Sequence, residues 1–232
     1  MNTLSRPLRL GAGIGAAVLL ALGAIGWMHT PSGLRFLAAA GVPCPVRTVT
    51  PEQVGQLRRV GLASMRGSAP APARPAPAGM QLDRTTEAEA LALLGRAHAQ
   101  CEAQLRGYRH LRCRGIDAGA LALDGPPVSE LWLSFGPAGR LVGVDVYRRG
   151  MDAASLRTVW SSAAARLRSA LGAPTLTLGD PAPEALAALP IQTARLQYRY
   201  ADYLATVTAS HLPRSGLSVR EQYLSAKEDA VN

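Results

Sequence analysis

The sequence predicts an α+β fold: a two-layer antiparallel sheet with two helices on one face, built as an α-β-β-β pseudo-repeat and preceded by one N-terminal transmembrane helix. Three observations predict it. An uncharged run of 19 residues occupies Leu10 to Met28. Two stretches, over residues 86–101 and 152–171, place apolar residues at helical spacing, and each is followed by segments in which apolar and polar residues alternate.

Composition supports a folded chain. At 48% hydrophobic and 18% charged residues it is too apolar to be disordered throughout. The roughly 200 residues after the apolar run suffice for one full-sized domain. The net charge is +9, and Lys227 is the single lysine among 25 basic residues. The arginines are spread from Arg6 to Arg220 with no run longer than a pair, and aromatic residues make up 5%. A nucleic-acid site concentrates charge on one element and adds stacking groups, so that class of partner is set aside.

Leu10 to Met28, as a helix rising about 1.5 Å per residue, matches a hydrocarbon core. Arg6 and Arg9 precede it and Trp27 stands at the interfacial position, which places residues 1–9 inside the cytoplasm and the rest of the chain outside. Ala24-Ile25-Gly26 and Ala38-Ala39-Ala40 are poor cleavage sites, so the segment reads as a signal anchor or uncleaved signal. Pro43 and the distance from the apolar run exclude Cys44 as a lipidation site.

Residues 29–66 form a juxtamembrane segment with a short helix, opened by a capping box of Thr50 and Gln53 with Pro51 at the first helical position. Residues 67–79 alternate proline and alanine and predict an extended linker. The main domain spans residues 80–226, with a tail at 227–232. Thr86 and Glu89 make a second capping box, and Leu91, Leu94, Ala97 and Cys101 predict one helix to about Cys101. Leu111 and Cys113 then alternate with polar neighbours. Leu131, Leu133 and Phe135, the Gly136-Pro137-Ala138-Gly139 turn, and Val142, Val144 and Val146 predict a hairpin. Asp152 caps a helix striped by Leu156, Val159, Trp160, Ala163, Leu167 and Leu171 and ended by Gly172 and Pro174. Three further strands follow, marked by Leu196, Tyr198 and Tyr200, by Tyr203, Ala205 and Val207, and by Leu217, Val219 and Tyr223. Helix plus three strands thus occurs twice, with a unit of roughly 70 residues.

This order of elements over residues 80–226, with the helix ending Leu171-Gly172-Ala173-Pro174, resembles small two-layer domains among exported inhibitor proteins and envelope-assembly lipoproteins. The resemblance rests on topology and implies a fold, not a function or site residues.

Three constellations invite chemistry. His98, Cys101, His110 and Cys113 form two His-x-x-Cys pairs, a zinc-like set, but a three-residue offset in a strand sends His110 and Cys113 to opposite faces. A Cys101–Cys113 disulfide is the favoured reading, worth about 3 kcal/mol by loop closure, with ordinary thiols, a metal site and pairing of Cys44 to either cysteine as the alternatives. Glu221 shares strand parity with Leu217, Val219 and Tyr223 and therefore needs a partner, for which Arg199 or the hydroxyls of Tyr198 and Tyr200 are candidates. Arg195, Tyr198, Arg199, Tyr200 and Glu221 form the expected contact surface. The sequence has no G-x-S-x-G elbow and implies no cofactor. The function expected is a single-pass, membrane-anchored, non-enzymatic envelope protein with an exported domain that binds an envelope protein or an anionic polymer. An exported hydrolase with a site assembled from distant residues, and a structural zinc-binding domain, are the alternatives.

Overall fold

A computed structural model describes residues 50–227 apart from residues 107, 190, 213 and 214, together with residues 23–27, 30, 32 and 33. Two compact units divide the chain at residues 49 and 50. In the first, residues 23–27 are helical and Thr30 Oγ1 donates to the Trp27 carbonyl at 2.7 Å. Among the described residues no helix is long and apolar enough to cross a membrane. The expected span at Leu10 to Met28 lies outside the described residues except for that short helix.

The second unit is α+β, with one eight-stranded antiparallel sheet and a few helices. It opens with α1, Pro51–Met65, whose Thr50 and Gln53 form the expected capping box. A proline-rich segment leads to α2, Glu87–Arg96, capped reciprocally by Thr86 and Glu89. Four strands follow: β1, Gln100–Arg106; β2, Tyr108–Arg114; β3, Glu130–Phe135; and β4, Leu141–Met151. The long α3, Ala153–Leu171, carries Asp152 at its N-cap and Gly172 at its C-cap. Then come β5, Leu176–Leu178; α4, Pro183–Ala187; β6, Thr193–Arg199; β7, Tyr203–Leu212; and β8, Gly216–Ser225.

In the strand order β1-β2-β3-β4-β8-β7-β6-β5 the second four strands run in reverse, so the last strand of each half lies at the centre. Each half is a four-stranded meander preceded by a helix, and the halves meet where β4 pairs with β8. The repeat is therefore helix plus four strands, not helix plus three.

The extra strand of the first half, β1, begins at Gln100 and Cys101, assigned from sequence to the end of a helix, and continues through residues to which the sequence reading assigns no element. That helix stops at Arg96 because Ala99 N–H bonds the Leu94 carbonyl and His98 N–H bonds that of Gly95, a Schellman closure with His98 at φ 53° in the left-handed position. Glycine normally marks this position, and its absence hid the stop. The helix also turns a different face inward: Ala90 and Leu94 are buried while Leu91 is 41% exposed. The second extra strand, β5, is three residues long and has too few positions to show a period.

One hydrophobic core joins α2 and α3 to one face of the sheet. Leu111, Cys113, Leu131, Leu133, Val144 and Val146 from the first half meet Leu196, Val207, Val219 and Tyr223 from the second. Leu156, Val159, Ala163, Leu167 and Leu171 of α3 complete it, each leucine contributing about 1.5–3 kcal/mol of transfer free energy.

The proline-rich segment is bound to the domain along much of its length. Ala71 N–H donates to Asp202 Oδ1 at 2.9 Å, Tyr203 Oη donates to the Pro75 carbonyl at 2.6 Å, and Arg74 pairs with Asp83. At Gly67 the chain passes so close to the Arg199 carbonyl that a Cβ would collide with it. Proline fixes the backbone in extended form without supplying donors, so the few remaining polar groups and the side chains of the domain hold it in place.

Candidate functional site

Alternation along the strands sorts side chains onto two faces. The face opposite the main core carries two rows that run across the sheet in register. One row is Glu102, Arg112, Trp132, Asp145, Gln222, Thr206 and Gln197. The other is Glu130, Tyr147, Arg220, Thr208 and Arg195.

At one end of this face α1 lies across the strands. Leu62 clusters with Leu204, Leu224 and Ala226, and Arg58 Nη2 donates to the Val142 carbonyl at 3.0 Å and to the Ser225 carbonyl at 3.3 Å. Its guanidinium also stands 5.8 Å from the Tyr108 ring centroid. Burial draws the Arg58 pKa down, with Tyr108 and Asp83 opposing.

Beyond α1 the two rows form a patch of arginine and aromatic side chains. Glu130 accepts from Arg112 and, at 3.2 Å, from Trp132 Nε1; the guanidiniums of Arg114 and Arg149 stand at 3.6 and 3.7 Å. Burial pushes the Glu130 carboxyl up, but these donors and cations outweigh it and leave it below its ordinary value. Arg112 lies over the Trp132 ring at 5.3 Å, and Tyr147 is flanked by Arg149 at 5.1 Å and Arg220 at 5.2 Å. Arg220 Nε donates to Asp145 Oδ1 at 2.7 Å, yet burial between Trp132 and Gln222 in the row pushes the Asp145 carboxyl above its ordinary value. Four guanidiniums thus surround two carboxylates and two aromatic rings, held in place by one another.

The opposite, helix-covered face holds a second charged group. Glu221 sits in register between Val146 and Val207, so its carboxylate enters the core. Arg148 Nη1 donates to Oε1 at 2.9 Å, while Arg166 and, at 2.5 Å, Tyr223 Oη donate to Oε2. The rest of the Arg148 guanidinium donates to the carbonyls of Pro126 and Asp124, both at 3.2 Å. Every polar atom of the pair is accounted for, which a buried ion pair requires.

The residues singled out from sequence are divided between the faces. Arg195 is exposed in the second row, and Arg199 donates to Gln197 Oε1 on the same face. Tyr198 is buried on the helix side, Tyr200 Oη donates to the Leu171 carbonyl, and Glu221 lies in the core network. The period of two sends Arg199 and Tyr198 to opposite sides, so these five residues do not share one surface. The Glu221 partners are Arg148, Arg166 and Tyr223, not Arg199, Tyr198 or Tyr200.

Cys101 and Cys113 are directly opposite on β1 and β2 and form a disulfide, which fits a domain that folds in an oxidising compartment. His98 terminates α2 and His110 faces the open side, bonded through Nδ1 to Ser134 Oγ at 2.9 Å. Among the described residues no group of three His, Cys, Asp or Glu side chains is placed to hold a metal ion. The patch residues Trp132, Tyr147, Arg149, Arg220, Glu130 and Asp145 escaped the sequence reading. The signal was there: Trp132, Asp145 and Tyr147 alternate with the core positions Leu131, Leu133, Val144 and Val146.

No protein-family model, curated protein or solved structure matches this chain.

Proposed function

We propose that this chain is a single-pass membrane-anchored protein whose exported α+β domain acts by binding, and that it docks another envelope protein on the open face of its sheet. The observation that carries the reading is the Trp132–Tyr147–arginine patch. Tryptophan, tyrosine and arginine dominate the energetics of protein interfaces, and here they stand together, pre-ordered by mutual cation–π contacts and by Glu130 and Asp145. The mixture of four guanidiniums with two carboxylates suits a partner surface of mixed charge better than a uniformly anionic polymer.

Two further features support the setting. The apolar run Leu10 to Met28 has the length of a membrane span, with two arginines before it. The Cys101–Cys113 disulfide suits the outer side of that membrane. With the amino terminus inside, a reporter fused at residue 80 is active only outside the cytoplasm, and an inside signal overturns the topology.

Binding is tested with the full chain in neutral detergent as bait for solubilised envelope proteins. Trp132→Ala, at a position that contributes little to the core, weakens capture of the partner by about tenfold or more while the melting temperature stays within a few degrees. Capture indifferent to Trp132→Ala and to Arg220→Ala removes this face from the reading. Turnover in an esterase, glycosidase or peptidase screen that one substitution abolishes removes the non-enzymatic part.

A further inference from the structure

A second surface, separate from the open face, carries an excess of positive charge. A groove of about 790 Å³ runs between α2 and the segment that leads into it, lined by Asp83, Arg84, Thr85, Glu89, Arg96 and Arg140 among others. That volume lies within the usual range for small-ligand sites, roughly 300–1,000 Å³.

One wall is α2, where Glu89, Ala92 and Arg96 follow at three- and four-residue steps and so share one helical face. The other wall is fastened to the start of β4: Asp83 N–H donates to the Leu141 carbonyl at 2.7 Å, Leu141 N–H to that of Thr85 at 2.8 Å, and Arg140 Nη1 to that of Arg84 at 2.8 Å. Gln81 N–H closes the turn on Thr85 Oγ1 at 2.9 Å. The groove is therefore framed by bonded backbone on one side and a capped helix on the other.

Its charges are unbalanced. Asp83 is paired with Arg74, outside the lining, and the Glu89 carboxylate is engaged by Thr86 through N–H at 2.7 Å and Oγ1 at 2.8 Å. Arg84, Arg96 and Arg140 are all exposed, and none forms an ion pair with a carboxylate among the described residues. Three guanidiniums face one groove against the capping carboxylate of Glu89 and the carboxylate of Asp83, which Arg74 engages from outside the lining.

We propose that this groove binds a ligand carrying two or more linked phosphoryl groups. A single exposed guanidinium–anion pair is worth little, so affinity here requires several anionic charges held close together. Phosphoryl oxygens meet that requirement and accept bidentate bonds from the planar guanidinium fork. The same chemistry occurs in soluble pyrophosphate compounds and in lipids whose headgroup is a diphosphate.

The test is titration calorimetry of the full chain in neutral detergent with inorganic pyrophosphate. Saturable binding is expected that weakens with added salt, and that Arg84→Gln and Arg96→Gln each reduce by about threefold. Arg168→Gln, an equal loss of charge at an exposed position on α3, leaves it unchanged. Doping the micelles with a long-chain alkyl diphosphate separates the sources: displacement of pyrophosphate assigns the site to a lipid headgroup, and no displacement assigns it to a soluble ligand. Absence of saturable binding, or equal weakening by Arg168→Gln, overturns the proposal, and unchanged melting curves confirm that the variants are folded.

Discussion

Glu221 on β8 and Asp145 on β4 lie at the centre of the same sheet, one on each face, and each is paired with arginine. The Arg148–Glu221 pair is buried, with side chains 2% and 1% exposed; the Arg220–Asp145 pair has its arginine side chain 42% and its aspartate side chain 14% exposed. Identical chemistry therefore works under different dielectric conditions. Under α3, removing a partner strands a charge that water cannot reach, so the pair fixes how the halves pack. On the open face water screens the charges, and the arginines remain available to an incoming surface.

The largest expected effect separates these two pairs. Glu221→Gln leaves the buried Arg148 and the partly exposed Arg166 without their counter-charge and lowers stability by about 3–5 kcal/mol in urea unfolding. Asp145→Asn changes it by less than about 1 kcal/mol, because the Arg220 pair is solvent-screened and the replaced carboxyl was already disfavoured by burial. Equal losses in the two variants would erase the distinction between the faces.

Next is the disulfide, which ties the edge strand β1 to β2 across a separation of 12 residues. Reduction, or Cys101→Ser with Cys113→Ser, is expected to cost about 3 kcal/mol, and amide exchange should rise first in β1. Exchange that rises evenly over the sheet would instead mean that the bond stabilises the domain globally.

Tyr223→Phe removes one donor from Glu221 and costs about 1–2 kcal/mol. It has a signature in alkali. Burial, and then Glu221, hold the folded hydroxyl well above its ordinary value, whereas the unfolded side chain ionises near about pH 10. Its contribution is complete below that pH and is lost as the pH rises further, so the native protein falls off more steeply in base than the variant. Parallel pH profiles would contradict this.

The smallest effect belongs to the N-cap of α3. Bonding to the Ser155 backbone N–H holds the Asp152 carboxyl below its ordinary value. Its contribution is present above the ordinary carboxylate range and disappears as the pH falls through the folded value. The difference in melting temperature between native protein and Asp152→Ala should close in acid, and a gap of constant size would show that the cap does not act through its charge.

Much of the architecture is legible wherever the cause is local. Thr50, Thr86 and Asp152 announce three helix starts, Gly172 ends the longest helix, and the alternation of Leu131–Phe135 and of Val144 and Val146 marks the central hairpin. The end of α2 was not legible, because a histidine occupies the position where glycine is the recognisable signal. The candidate site was less visible. Its residues come from β2, β3, β4 and β8, and no spacing along the chain says that Arg220 will flank Tyr147.

By itself the sequence determined the α+β class, the helix caps, the parity that drives Glu221 into the core, and the cysteines able to pair. Each follows from backbone geometry within a few residues, or from a short loop whose closure costs little entropy. Only the tertiary structure decided that β4 pairs with β8, that Arg148, 73 residues away, meets Glu221, and that the proline-rich segment is fastened to the domain. Those contacts depend on which surfaces the two halves bury together. Hydrophobic burial is proportional to area and indifferent to sequence separation, so the period along the chain marks which face is apolar but not which surface will cover it.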